Sequence, residues 1–363
     1  MNAPRSKALE AAPESDRVDE TPHPRENFDF FGHHEAEQGL LEAYRAGRLP
    51  QAFVIGGPPG IGKATLAWRL ARFLLAHPDP TAATVQGARD LGINASDPVA
   101  HKIAAMSHGD VALLRREWNE KAKPARHYTE IRVDDVRQAS HLFRSVAGAG
   151  GWRICIVDSA EDLNNSAANA LLKLIEEPPP RSLFLIVAHR PALLLPTLRS
   201  RCQMLILRPL ADVDILRVID ALGAPWTEAS ESERRVAAER GQGSVTTALS
   251  LLADDGIAID NQVRALLSGL PALDWRAVHT LADRIAGRDR TAQCDRVMTA
   301  IVDWIDERLQ SEAAHGAARL APLAEVWEKA ADAAREAEAL NLDKRPVILS
   351  IFAELAAARA ASA

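Results

Sequence analysis

Apolar residues along the chain are spaced in two different ways, and the change falls near residue 209. Between Phe28 and about Leu210, short β-rich apolar runs alternate with stretches of helical periodicity, the rhythm of a parallel sheet covered by helices on both faces. The runs AFVIGG, WRICIVD, LFLIVA and QMLIL predict strands. After the first of them, Leu66, Leu70, Phe73 and Leu74 recur at i, i+4, i+7 and i+8, which predicts a helix with one buried face. Beyond Pro209 the strand pattern stops and helical periodicity continues to the C-terminus. Val278, Leu281, Ala282 and Ile285 form one apolar face there, and Val297, Ile301, Trp304 and Ile305 form another. The turn-rich stretches SGLPALD and HGAARLAP separate these helices. The expected organisation is an unstructured tail over residues 1–27, an α/β domain over 28–208, a small helical domain over 209–254 and an all-α domain over 255–363.

Composition narrows the function classes. A chain of 363 residues has room for two or three cores. No apolar run is long enough to span a bilayer, and the tail, rich in charge and proline, lacks the apolar segment of a secretory signal. Cys155, Cys202 and Cys294 are widely separated, without a C-x-x-C pair, so neither a disulfide framework nor a zinc site is expected and a reducing cytoplasm fits. The net charge of −6 provides no global attraction for nucleic acid. The nearest basic cluster, Arg115, Arg116, Lys121, Lys123 and Arg126, is interleaved with Glu117 and Glu120 and reads as a solvated surface insert.

The chemistry concentrates in GGPPGIGKAT. Gly57, Gly60, Gly62 and Lys63 satisfy the glycine-and-lysine part of a phosphate-binding loop, directly after a predicted strand and before a predicted helix. Glycines let backbone N–H groups turn inward around phosphate oxygens, the helix N-terminus adds partial positive charge, and Lys63 would reach the outer phosphates. The position after the lysine normally supplies a hydroxyl to Mg²⁺, and Ala64 has none. Thr65 is the next hydroxyl, but one step along a helix swings a side chain by roughly 100°. Asp158 ends the predicted strand RICIVD, where a carboxylate orients magnesium-bound water, and Ser159 follows it. Hydrolysing sites place a glutamate there as base, and a serine is too weak a base for that task. Glu161 and Asp162 read as capping or solvated residues of the next turn.

Together with LLPTLRSRC and ICIVDSAEDLNNSAANALLKLIEEPPP, the loop sequence resembles the AAA+ clamp-loader subunits of bacterial DNA polymerase III. FFGHHEAEQGLLEAYRAGRLPQAFVIGG, IRVDDVRQ and LNLDKRPVILSIFAELA extend the likeness from about residue 28 to the C-terminus. The resemblance implies an α/β P-loop AAA+ domain, then a helical lid, then an all-α collar through which subunits associate. It places an arginine finger on Arg201, between Ser200 and Cys202, to stabilise charge on a neighbouring subunit's γ-phosphate. The alternative for Arg201 is a pair with a carboxylate of its own chain. Other positions depart from the hydrolysing pattern: Ala188 and His189 stand at the γ-phosphate sensor, Thr246 lies where relatives hold an arginine, and the zinc module is absent. Asn169, Lys173 and Glu176 lie on a helix that approaches the subunit interface in the family.

The expected function is therefore a non-hydrolysing stator that lends Arg201 to a motor subunit. ATP or ADP could occupy its degenerate loop through Gly57, Gly60, Gly62, Lys63, Thr65 and Asp158, with magnesium weak or absent and no zinc. The implied partners are the gamma/tau and delta subunits, with the sliding clamp and primed DNA reached through the complex. Two other readings stay open on sequence: an autonomous AAA+ ATPase of the clamp-loader or recombination type, and a plain nucleic-acid-binding module.

Overall fold

The computed structural model describes residues 13–144, 151–285, 290–311, 325, 326, 329 and 344–362. Its elements begin with α1 (His34–Arg45), β1 (Ala52–Gly56), α2 (Lys63–Ala76), α3 (Ala83–Gln86), α4 (Pro98–Ala104) and β2 (Val111–Leu114). A short antiparallel pair, β3 (Trp118–Asn119) and β4 (Arg126–His127), precedes α5 (Val133–Arg144), β5 (Arg153–Val157), α6 (Asn165–Glu176), β6 (Ser182–Ala188), α7 (Pro196–Arg199) and β7 (Gln203–Ile206). Helices follow: α8 (Asp212–Leu222), α9 (Glu231–Arg240), α10 (Val245–Leu252), α11 (Gly256–Ser268), α12 (Trp275–Ile285), α13 (Thr291–Ser311) and a C-terminal helix, Lys344–Ser362. The chain divides into two compact units, the first made of 1–228 with 241–246 and the second of 229–240 with 247–363. Residues 209–254, expected as one lid, contribute to both.

In the first unit five parallel strands run in the order β2, β5, β6, β1, β7. Every residue of β1, β5 and β6 is buried, as parallel strands covered on both faces require. Alternation assigns the faces. Phe53, Ile55, Ile154, Ile156, Leu183 and Leu185 point to the side packed by α1 and α2. Val54, Cys155, Val157, Phe184 and Ile186 point to the side packed by α5 and α6. All four predicted strands form. The edge strand β2 escaped the sequence pattern because it has four residues, of which only Leu114 is fully buried.

Of the tail expected over 1–27, residues 1–12 lie outside the described residues, and residues 13–27 are packed rather than unstructured. His23 is fully buried and its Nε2 lies 3.0 Å from Asp16 Oδ2. Arg115 binds Glu14 at 2.9 Å and also contacts Asp16, while Arg25 binds Glu14 at 2.9 Å. Arg72 on α2 donates to the carbonyl of Arg25 at 2.7 Å and to that of Asn27. Trp226 Nε1 donates to the carbonyl of Glu20 at 3.3 Å. Composition suggests solvated charges here, and the fold instead gives Glu14, Asp16 and Arg25 partners of opposite sign.

The second unit packs α11, α12, α13 and the C-terminal helix around one apolar core. Both predicted stripes, at 278–285 and 297–305, are buried in it. The core encloses one carboxylate: Asp260, whose side chain is 0% exposed, meets Arg240 at 2.9 Å, Arg264 at 3.0 Å and Arg296 at 3.3 Å. The cluster ties α9 to α11 and α13. Replacing Asp260 with Ala would leave the buried Arg296 without its nearer carboxylate, because removing one partner of a buried pair strands the other. The expected loss is about 3–5 kcal/mol in the urea unfolding free energy.

Candidate phosphate-loop site

The loop between β1 and α2 turns back on itself through glycines. Gly60 has φ +75° and Gly62 φ +95°, a region that side chains rarely adopt. At Gly60 a Cβ would meet Thr246 Oγ1 at 2.1 Å and Ser244 Oγ at 2.3 Å. The backbone N–H of Val245 donates to the Gly60 carbonyl at 2.8 Å, so residues 244–246 lie directly against the loop. His33 Nε2 lies 2.8 Å from the carbonyl of Ile61 and braces the other side. At the start of α2, Gly62 provides no side-chain cap and the first turn has no acidic residue. Its N–H groups are available to an anion, so a cradle and a helix N-terminus fit a phosphate group.

The rim gathers the ends of neighbouring strands. Lys63 is almost wholly buried, and its Nζ donates to the carbonyl of Pro58. Burial pulls its pKa down to about 8 against the opposing fields of Asp158 and Glu161. Asp158, just after β5, has its carboxyl pushed up to about 7 by desolvation first and then by Asp16, with Lys63 opposing. His189, just after β6, is pushed down by burial and then by Lys63, and its Nδ1 is buried without a partner among the described residues. Glu161 Oε1 accepts the Arg190 N–H at 2.6 Å, and its Oε2 is buried without a hydrogen-bond partner.

Gly57, Gly60, Gly62, Lys63 and Asp158 thus belong to one site. Thr65 is half-buried one position beyond Ala64 on α2. Ala64 turns its methyl against the apolar core, so the position that normally carries the metal-binding hydroxyl is committed to packing. These residues fit a nucleotide's phosphates and do not fit a productively placed magnesium ion. Asp162, read from sequence with Glu161 as a cap, pairs with Arg116 at 3.2 Å. Glu161, given the same reading, accepts the backbone N–H of Arg190, the residue that opens the turn after β6.

Arg201 lies after α7, between the start of the edge strand and the end of α6. Its guanidinium is 41% exposed and binds Glu176 Oε1 at 2.7 Å, with a second bond to the carbonyl of Thr197 at 3.2 Å. Asn169, Lys173 and Glu176 form one exposed stripe of α6. Such exposed pairs are worth about 0.2–1 kcal/mol, so the own-chain partner holds Arg201 only lightly.

The chain has relatives among known proteins. A family model described as DNA polymerase III, delta subunit, matches residues 32–211. The DNA polymerase III subunit delta' of Escherichia coli is 28% identical over 282 residues, 77% of this chain and 75% of that protein. The corresponding protein of Pseudomonas aeruginosa is 38% identical over 151 residues, 42% of this chain and 41% of that protein.

The chain is a relative of the DNA polymerase III delta-prime subunits.

Its match to the Pseudomonas delta-prime protein thus spans less than half of that protein's length. A Mycobacterium tuberculosis DNA polymerase III subunit gamma/tau is 30% identical over 177 residues, 48% of this chain and 27% of that protein. Among solved structures, a DNA polymerase III gamma subunit-related protein of Thermotoga maritima covers 88% of this chain and 99% of its own, at 16% identity and a TM-score of 0.41. No helix among the described residues of this delta-prime relative is long and apolar enough to cross a membrane. No group of three or more His, Cys, Asp and Glu residues among them is arranged to hold a metal ion.

The site's charges set a pH dependence. Because the folded-state pKa of Asp158 is raised to about 7, its contribution to stability is present below the usual carboxylate range and is lost as pH rises through about 7. Lys63 acts in the opposite sense: its pKa falls from 10.5 to about 8, so stability recovers as pH rises between those values. Asp158→Asn is expected to flatten the fall in unfolding free energy between about pH 4 and pH 8, measured by urea titration at several pH values.

Proposed function

We propose that this relative of the delta-prime subunits works in the cytoplasm as a clamp-loader subunit that performs no hydrolysis and completes a neighbour's ATP site with Arg201. The observation that carries the reading is the contrast between two places in the first unit. At the loop, phosphate-binding parts are kept while the groups that place magnesium and activate water are replaced by Ala64 and Ser159. At the surface, Arg201 stands exposed, in an ion pair weak enough to exchange for a stronger one. A guanidinium offered to a terminal phosphate makes bidentate, charge-assisted bonds that a single exposed carboxylate does not match.

In this role Glu176 holds Arg201 in reach until a neighbour's nucleotide competes for it. The loop itself holds ATP or ADP through the backbone around Gly57, Gly60 and Gly62, with Lys63 beside it. Its nucleotide serves the fold by mass action rather than by turnover. The partners under this reading are the gamma/tau and delta subunits, and the sliding clamp and primed DNA are engaged by the assembly. The collar is the helical second unit.

Two measurements test the proposal. Arg201→Ala, mixed with the other clamp-loader subunits, is expected to assemble normally and to depress ATP turnover at the adjoining site by about 10³-fold or more, the scale of such fingers. An unchanged rate overturns the trans role. The isolated chain with magnesium and ATP is expected to turn over well below about 1 per second. Brisk turnover would instead support the autonomous ATPase reading.

A further inference from the structure

The loop's lysine has neighbours that the proposed role does not use. The ammonium of Lys63 is enclosed and spends a hydrogen bond on the carbonyl of Pro58. Glu161 reaches the same pocket from the turn after β5. One of its oxygens is fixed by the Arg190 N–H at 2.6 Å, while the other is buried without a hydrogen-bond partner among the described residues. His189, whose Nδ1 is likewise buried and unpartnered, responds to the charges of both Lys63 and Glu161. Lys63 in turn responds to Asp158 and Glu161. The four groups therefore stand on one rim, after the C-terminal ends of β1, β5 and β6, which the sheet order places side by side.

A buried carboxylate oxygen without a donor is costly unless a cation lies close by. Lys63, which the sheet order brings to the same rim, supplies a positive field there. In an ordinary phosphate loop the lysine ammonium is kept for the outer phosphates, and magnesium neutralises the rest of their charge. Here Asp158 and Glu161 of the same chain stand on that rim, and Ala64 removes a ligand for magnesium. A third phosphate would arrive without its usual compensation beside a fixed negative charge, and like charges in a partly dry site repel strongly. A second phosphate would still find the backbone N–H groups of the loop and the uncapped start of α2.

We propose that Glu161 is a resident anion on the loop's rim that occupies the electrostatic place of a terminal phosphate, making the loop selective for a nucleoside diphosphate over the triphosphate. This deepens the reading that the loop holds nucleotide, and it rests on that reading. Glu161 is a specificity residue here and needs no part in any reaction. Its hydrogen bond to Arg190 fixes the carboxylate in place, so the selectivity is built into the apo chain.

Equilibrium titration of the full chain with fluorescent analogues of ADP and ATP, with and without magnesium, tests the proposal. The parent chain is expected to bind ADP at least about tenfold more tightly than ATP, with little effect of magnesium on the ratio. Glu161→Gln keeps the acceptor for Arg190 and removes the charge. It is expected to tighten ATP more than ADP and to shrink the ratio about tenfold. A parent ratio near one overturns the inference without any variant, and so does a ratio that Glu161→Gln leaves unchanged. Lys63→Ala separates the two layers of the argument: it is expected to weaken both nucleotides. Failure of the parent and of Glu161→Gln to bind either nucleotide overturns the nucleotide-holding reading and the selectivity with it. Binding with an unshifted ratio overturns only the selectivity.

Discussion

Burial of three central strands on both faces is the constraint on which the first unit depends. β1, β5 and β6 offer no solvated face, so polar groups attached to them can emerge only at their ends. The parallel direction puts all the C-terminal ends on one rim. Lys63, Asp158, Glu161 and His189 meet there because each follows directly on one of those strands, although they are spread over more than a hundred residues of sequence. The same burial makes their charges matter. A lysine and a carboxylate are here displaced toward each other, to about 8 and about 7, because burial removes the hydration of each charged form, while their mutual attraction opposes both shifts.

Much of this was legible in the sequence wherever a local rule governs. The strand runs show as uninterrupted apolar stretches, α2 shows by its period, and the loop shows by glycines at positions where the backbone takes positive φ. The helices of the second unit were equally plain, since Val278 to Ile285 and Val297 to Ile305 keep one face each. What was not legible depends on distant partners. Arg115 lies 99 residues from Asp16 in sequence, and no pattern around either announces the pair. The packed course of residues 13–27 follows from such pairs, so composition pointed the wrong way. The two acidic residues of the turn after β5 look alike in sequence, yet Asp162 pairs with Arg116 and Glu161 accepts the backbone N–H of Arg190, partners that no local pattern names.

The likeness to delta-prime subunits and the geometry bear on different questions. The likeness settles kinship. Which residues carry a task is a matter of side-chain chemistry, and there two absences reinforce one another: without a hydroxyl at position 64, a glutamate at 159 would have little metal-bound nucleotide to act on. Once one is lost, the other is under no chemical demand. Polar groups left in such a site are free to take other tasks, and Glu161 and His189 remain buried there with unspent hydrogen-bonding capacity.

The segment 13–27 has a consequence for how the first unit coheres. It touches the helix after the loop through Arg72, the end of β2 through Arg115, α4 through the bond from Arg25 to the Ala104 carbonyl, and the region after α8 through Trp226. Three of these places, α2, α4 and β2, already share one apolar core, and the segment adds polar ties across it, so it works as a girdle around the sheet's helical cover. A chain trimmed at Phe28 would keep every strand and yet lose the belt: Arg115 would face no carboxylate at Glu14 or Asp16, and the indole of Trp226 would be without its acceptor.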